Sequence, residues 1–161
     1  MGKVLAPNSG NKTINSVKAF WKTVPLADMS DSQWESLCDG CGMCCLNKLE
    51  DWDTGEIFFT NIACTLFDGT SCQCKDYENR FDTVPDCVKL QPGKISELPW
   101  LPQTCAYRLV QEGKPLPQWH HLITGDRETV HEANVSVRGK TISEDGKTPE
   151  DYEDHIIDWI E

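Results

Sequence analysis

The chain has 161 residues with 15 basic and 26 acidic side chains, a formal net charge of −11. This balance argues against nucleic-acid binding, because no basic stripe is present to replace phosphate counterions. No apolar run approaches the roughly 18 residues of a membrane span, and the N-terminus lacks the apolar core of about 7–15 residues found in secretory signals. We therefore expect a cytoplasmic protein, in which clustered cysteines bind metal or act in redox chemistry rather than form disulfides.

The length suits one domain. Hydrophobic residues make up 39% of the chain, which is below the roughly 45–50% usual in globular domains once glycine is counted. A core this modest would be stabilised by a cross-link or a bound metal. We predict a flexible tail over residues 1–16 and a single domain over 17–161. The expected fold is α+β, with short helices and a small antiparallel sheet organised around cysteine metal sites.

Local signals predict the first elements of this domain. Ser30 is followed three residues later by Gln33, the pattern of a capping box, which predicts a helix of about two turns. Residues 51–55 have the composition of a turn. Residues 56–62 are rich in β-branched and aromatic side chains and predict a strand.

A hairpin is predicted in the middle of the chain. Asp68 followed by Gly69 is the strongest hairpin signal present. We expect this turn to bring Cys64 and Cys72 back toward each other. Cys72 and Cys74 are two residues apart, so on a strand they would share one face.

The C-terminal half contains weaker signals. Residues 91–102 are rich in proline and predict a loop, whereas 104–112 predict a helix with Cys105 in its first turn. Residues 135–142 predict a pair of strands interrupted by glycine. A last helix is expected to begin at Thr148, because proline follows it at the first helical position.

The main functional signal is the stretch L-C-D-G-C-G-M-C-C-L over residues 37–46, which contains four of the nine cysteines. A C-x-x-C turn lets two thiolates converge on one ion, and Gly40 and Gly42 permit the positive φ angles of a tight turn. A third thiol follows three residues later. Three such thiols suffice for three corners of a tetrahedral zinc site or three ligands of an iron–sulfur cluster.

All nine cysteines are candidate metal ligands: Cys38, Cys41, Cys44, Cys45, Cys64, Cys72, Cys74, Cys87 and Cys105. The adjacent side chains of Cys44 and Cys45 diverge, so we assign one to a first site and the other to a second site or the core. Cys72 is an additional candidate. Without it, eight thiols remain, enough for two tetrathiolate sites or for one cluster with spare cysteines.

The motifs resemble the YkgJ-type cysteine-cluster family of zinc- or iron-chelating domains, and within it the YcgN-like subgroup. The resemblance spans roughly residues 30–125. The matching blocks are C-D-G-C-G-M-C-C at 38–45, C-x-L at 64–66, C-x-C-x-x-Y-x-x-R at 72–80, P-D-C-x-K-L at 85–90 and L-P-x-T-C-A-Y-R-L at 101–109. The resemblance implies metal binding and no particular reaction.

This chain departs from the wider family pattern C-x-I-Y-x-x-R-P-x-x-C at several positions. An extra residue precedes Tyr77, Phe81 replaces the proline, and Cys87 comes later than in the pattern. Tyr77 and Arg80 are expected to support the thiolates by hydrogen bonding.

Zinc and an iron–sulfur centre remain alternatives at this stage. The run C-x-x-C-x-x-C is the start of a bacterial ferredoxin motif, but Cys45 follows at once and no proline comes after it. The leading hypothesis is a metal-binding protein with a role in chelation, carriage or structure. An iron–sulfur electron-transfer component is the second hypothesis, and a thiol redox switch is the third.

No catalytic constellation is recognisable in the sequence. It has no H-x-E near a cysteine pair, no phosphate-binding glycine loop and no G-x-S-x-G, so we do not predict an enzyme. His120 and His121 are more typical of surface or hydrogen-bonded residues than of ligands. The sequence predicts a metal ion as the partner, without nucleic acid and without a membrane span, and identifies no protein partner.

Overall fold

Two small sheets lie next to the cysteine loop in the computed structural model, which describes residues 19–160. Strands β1 (Leu46–Glu50) and β2 (Ile57–Ala63) are antiparallel, and β5 (Ile142–Ser143) pairs in parallel with the end of β2. A separate hairpin joins β3 (Phe67–Asp68) to β4 (Gln73–Cys74). The α+β prediction is confirmed. The larger sheet is mixed rather than antiparallel, because β5 returns from the C-terminal part of the chain.

The helices of the described residues are all short. The α-helices are α1 (Phe20–Thr23), α2 (Asp31–Ser36), α3 (Arg80–Thr83), α4 (Ala106–Gln111), α5 (His121–Thr124) and α6 (Thr129–Glu132). The 3-10 turns are Leu26–Asp28, Met43–Cys45, Pro92–Glu97, Pro149–Asp151 and Glu153–His155. No helix within 19–160 is long and apolar enough to cross a membrane.

The capping box predicted at the start of α2 is present. The Ser30 hydroxyl accepts the backbone N–H of Gln33 at 3.2 Å, and the Gln33 side chain accepts the N–H of Ser30 at 3.0 Å. Leu37, which follows the helix, is fully buried. The helix therefore fixes the chain directly before Cys38.

The turn and strand predicted over 51–62 are also confirmed. Asp51 accepts the backbone N–H groups of Asp53 and Thr54 at 2.8 and 2.9 Å and so closes the turn between β1 and β2. Trp52 at its tip is 96% exposed. This side chain contributes almost nothing to the core.

The cysteine loop lies between two hydrophobic cores. The first core contains Met43, Leu46, Phe59, Ala63, Phe67, Cys72 and Val137. The second core contains Leu37, Ile95, Leu101, Ala106, Tyr107 and Leu116. Because Leu37 belongs to one core and Met43 to the other, the loop between them crosses from one to the other.

Three expectations for the C-terminal half are wrong. Residues 92–97 form a 3-10 helix that buries Ile95, where a loop was expected. Only Ile142–Ser143 of the predicted strand pair is a strand, since a left-handed Gly139 (φ 71°) turns the preceding chain. The predicted last helix stops after two short 3-10 turns, because Ile156 becomes extended and bridges to Thr60 of β2. The tail over 1–16 lies outside the described residues.

Candidate metal centre

A cavity of about 820 Å³ opens beside the cysteine loop. Six of the nine cysteines line it: Cys38, Cys44, Cys45, Cys64, Cys74 and Cys87. The walls also include the aromatic rings of Trp34, Tyr77 and Tyr107 and the carboxylates of Glu35 and Glu144. Its volume lies in the range of about 300–1,000 Å³ typical of small-molecule sites.

Gly42 has a conformation and surroundings that admit only glycine. Its φ is +79°, and a Cβ built there would lie 2.7 Å from Phe67 Cζ, 2.7 Å from Val137 Cγ2 and 2.8 Å from Cys72 Sγ. Gly40 has the same φ but no atom within 4 Å of its Cβ position. The backbone of the loop is therefore packed tightly against the first core at Gly42. This glycine lies between the second and third thiols of the motif.

Backbone hydrogen bonds hold the loop in this shape. Asp39 Oδ1 accepts the N–H of Cys41 at 2.8 Å, and the N–H of Val137 donates to the carbonyl of Cys41 at 2.9 Å. Met43, Cys44 and Cys45 then form a 3-10 turn. Successive side chains on such a helix point about 120° apart. The two side chains therefore leave the turn in different directions, although both line the same cavity. Their assignment to different sites stays a prediction.

Electrostatic interactions connect Cys38 with Cys41, Cys44 and Cys105, and we call these four residues the first thiol group. The Cys38 side chain is exposed and opens into the cavity. Cys105 is the N-cap of α4, where burial raises its pKa to about 11. The Tyr107 hydroxyl donates to the carbonyl of Trp34 at 2.8 Å. This bond holds the start of α4 against α2 and thus keeps Cys105 near Cys38.

The second thiol group consists of Cys45, Cys64, Cys74 and Cys87. The N–H of Cys64 donates to the carbonyl of Cys45 at 2.9 Å. Cys74 pairs with Phe67 in the β3–β4 hairpin, so the hairpin returns Cys74, not Cys72, toward Cys64. Burial raises the pKa of the Cys64 thiol, and the charges of Glu144, Cys87 and Cys74 raise it further.

Cys44 and Cys45 interact directly where the two groups meet. Hydrogen bonding from the Cys45 thiol lowers the pKa of Cys44 to about 7, and the positive charge of Lys48 favours the same thiolate. The same interaction raises the pKa of Cys45. The Lys48 ammonium donates to the carbonyls of Leu46 at 2.6 Å and Cys44 at 3.3 Å. Hydrogen bonds therefore hold this ammonium group close to Cys44 and Cys45.

The described residues do not form a preassembled coordination shell. Within 19–160, no three His, Cys, Asp or Glu side chains are grouped so that they could hold a metal ion. The donor chemistry nevertheless fits zinc or iron, because thiolates are their preferred ligands. The Asp39 side chain is 6% exposed, and its Oδ2 has no hydrogen-bond partner among these residues. A buried, unpaired carboxylate oxygen beside thiols is stabilised by a nearby cation.

Cys72 packs in the first core, against the backbone of the cysteine loop. It is 3% exposed in the first core, and its thiol donates to the carbonyl of Cys41 at 3.4 Å. The expectation that Cys72 and Cys74 share a strand face is wrong. Strand β4 begins only at Gln73, and the left-handed backbone of Cys72 (φ 62°) breaks the alternation.

His120, the first residue of the histidine pair, is hydrogen-bonded, which is one of the two roles expected for the pair. His120 is fully buried, its Nδ1 accepts the N–H of Leu122 at 3.1 Å, and its Nε2 lies 3.0 Å from the carbonyl of Leu37. Both ring nitrogens of His120 are therefore engaged. The His121 ring stacks against it with centroids 4.5 Å apart.

Tyr77 and Arg80 bond to groups other than thiols. The Tyr77 hydroxyl donates to Glu35 Oε2 at 3.0 Å. The Arg80 guanidinium donates to the carbonyl of Tyr77 and lies 4.0 Å from the centre of its ring. The expected hydrogen bonds to the thiolates are therefore replaced by contacts within the cavity wall.

Sequence reasoning missed Glu144 and Lys48. Glu144 Oε1 accepts the N–H of Thr65 at 2.7 Å, and Oε2 accepts the Asn47 side-chain amide at 2.8 Å. A single carboxylate so far along the chain from its partners carries no sequence signal. Lys48 also carries no sequence signal, because a single lysine is ordinary at the surface of a protein.

Comparison with known proteins identifies relatives of this sequence. Residues 37–106 match a family model described as "CxxCxxCC: Putative zinc- or iron-chelating domain". A UPF0260 protein of Sinorhizobium fredii is 63% identical over 140 residues, covering 87% of this chain and 90% of the relative. UPF0260 proteins of Rhizobium meliloti and Agrobacterium fabrum are 61% and 60% identical over the same length, covering 90% and 86% of those relatives. No solved structure matches the chain.

Proposed function

The chain belongs to the UPF0260 family, and from this premise we propose that it binds zinc or iron through its two thiol groups. Cys38, Cys41, Cys44 and Cys105 would hold one ion, and Cys45, Cys64, Cys74 and Cys87 would hold another. An iron–sulfur centre would use the same donors. Cys72 is left outside both groups because it packs in the core.

The observation that carries the proposal is that six cysteines meet in the walls of one cavity beside the cysteine loop. Each thiol group contains four cysteines, and four thiolates complete the tetrahedral shell of a zinc ion. Thiols that merely packed would be distributed through the hydrophobic cores rather than collected around one cavity.

Proton release is the chemical step that the residues must support. Burial raises the pKa of the Cys41, Cys64 and Cys105 thiols, so they hold protons until a cation arrives. The Lys48 ammonium beside Cys44 offsets part of the negative charge of the thiolates. The N–H of Leu66 lies 3.4 Å from Cys64 Sγ and stabilises it as an anion.

Access to the thiols favours exchange of the metal over a purely structural role. Cys38 and Cys44 are exposed, and both open into the cavity. Thiols that reach solvent let an ion enter and leave the site without unfolding of the chain around it. We therefore assign chelation or carriage of the ion as the role.

Metal analysis of protein purified without oxygen tests this function. We expect stoichiometric zinc, or iron with acid-labile sulfide, and loss of metal in Cys41→Ser and Cys74→Ser. Cys72→Ser should retain the metal and is the matched control. A reduced, folded sample that contains neither zinc nor iron, and keeps its fold in strong chelator, would refute the proposal.

Electron transfer through an iron–sulfur centre is the second candidate. It is favoured by the exposure of Cys38 and Cys44, since a cluster near the surface can exchange electrons with a partner. A brown protein whose visible absorption bleaches on reduction supports this candidate. A colourless protein with zinc supports chelation.

A further inference from the structure

Glu144 connects the C-terminal part of the chain to the second thiol group. It follows β5, lines the cavity, and lies outside both the matched residues 37–106 and the nine cysteines. Its backbone N–H donates to the carbonyl of Ala63 at 2.9 Å, which continues the pairing of β5 with β2. The parallel strand thus delivers one carboxylate to the wall beside Cys64.

The carboxylate joins the two segments that carry Cys45 and Cys64. Oε2 accepts from Asn47, two residues after Cys45, and Oε1 accepts from the N–H of Thr65, the residue after Cys64. These bonds cross 97 and 79 residues of sequence. Asn47 is held from its other end by the Thr60 hydroxyl, which donates to its carbonyl at 2.8 Å. Both thiol-bearing segments are therefore fixed to one side chain.

A carboxylate satisfies both partners. Each partner is an N–H donor, and a carboxylate presents acceptors on both sides. A leucine at position 144 has a similar size but no acceptor, so it would lose both bonds. An aspartate would be one methylene too short to keep both contacts from the same backbone position.

From this geometry we infer that Glu144 is a positioning residue of the second thiol group. It reinforces the spacing that the bond from the Cys64 N–H to the Cys45 carbonyl sets between these two residues before an ion is bound, so the group also depends on the chain beyond the matched family region. The inference rests on the metal function proposed above. Groups that orient ligands typically change metal affinity by about 10–100-fold when removed.

Cobalt titration of Glu144→Leu measures this effect. In a Cys105→Ser background, which removes one thiol of the first group, we expect Co²⁺ affinity to fall about 10–100-fold and the thiolate charge-transfer bands to shift. Asp145→Asn is the matched control, because it removes the same charge from the adjacent residue, whose carboxylate makes no hydrogen bond within the described chain. A merely structural role would lower thermal stability without shifting the cobalt spectrum.

A metal-free measurement separates this inference from the metal function. Dibromobimane bridges two neighbouring thiols, and peptide mapping identifies the bridged pair. We expect fewer bridges between Cys45 and Cys64 in metal-free Glu144→Leu than in the wild type, whether or not the wild type binds metal. If bridging, cobalt affinity and spectrum all match those of Asp145→Asn, Glu144 does not position the group and the inference is overturned.

Discussion

Replacing Gly42 with alanine tests how closely the cysteine loop is packed on the first core. The left-handed backbone (φ +79°) costs an alanine about 1–2 kcal/mol. Its methyl group would also lie 2.7 Å from Phe67 Cζ and from Val137 Cγ2, and both of these residues are buried. Overpacking of this kind costs about 1–3 kcal/mol. The expected loss is therefore about 2–5 kcal/mol, a large part of the roughly 5–15 kcal/mol stability of a domain.

Gly40→Ala is the matched control for this substitution. Gly40 has the same φ of +79°, but a Cβ there meets no atom within 4 Å, so only the backbone cost applies. Urea unfolding of both variants, reduced and at equal metal content, gives the two free energies of unfolding. We expect Gly42→Ala to be less stable than Gly40→Ala by about 1–3 kcal/mol. Equal stabilities would refute the packing described for the loop.

Three further predictions concern stability and metal. Ser30→Ala should lower stability by about 0.5–2 kcal/mol through loss of the helix cap, with metal content unchanged. Chelator should lower the unfolding temperature strongly, because a structural zinc ion contributes about 10–16 kcal/mol of apparent binding energy; an unchanged temperature would contradict this. Trp52→Ser should change stability by less than about 0.5 kcal/mol, as expected for an exposed turn, and a larger loss would contradict the exposure seen at the tip.

Elements with local causes could be predicted from the sequence. The capping box of Ser30 and the turn closed by Asp51 both depend on hydrogen bonds spanning two or three residues. Such bonds form wherever the residues occur in that order. The helix and the turn were therefore accessible without any knowledge of the rest of the fold.

Elements that depend on distant contacts could not be predicted. Strand β5 is two residues long and exists because it pairs with Ile62 and Ala63 of β2. The strand alternation assumed for Cys72 failed because its thiol is drawn into the core, where it bonds to the carbonyl of Cys41. Neither contact leaves a trace in the local pattern of residues.

The candidate site divides in the same way. The spacing of Cys38, Cys41 and Cys44 follows from the sequence itself. The grouping of Cys105 with Cys38 requires the bond between Tyr107 and Trp34. The contribution of Glu144 requires the parallel strand before it.

The position of Cys44 and Cys45 in one tight turn has a consequence for loading. The two thiol groups meet at a single peptide bond, so an ion captured by one group restrains the backbone that the other group uses. The second capture then has less conformational entropy to lose. Native mass spectrometry during metal addition should therefore detect mainly empty and doubly loaded molecules, with few that carry a single ion.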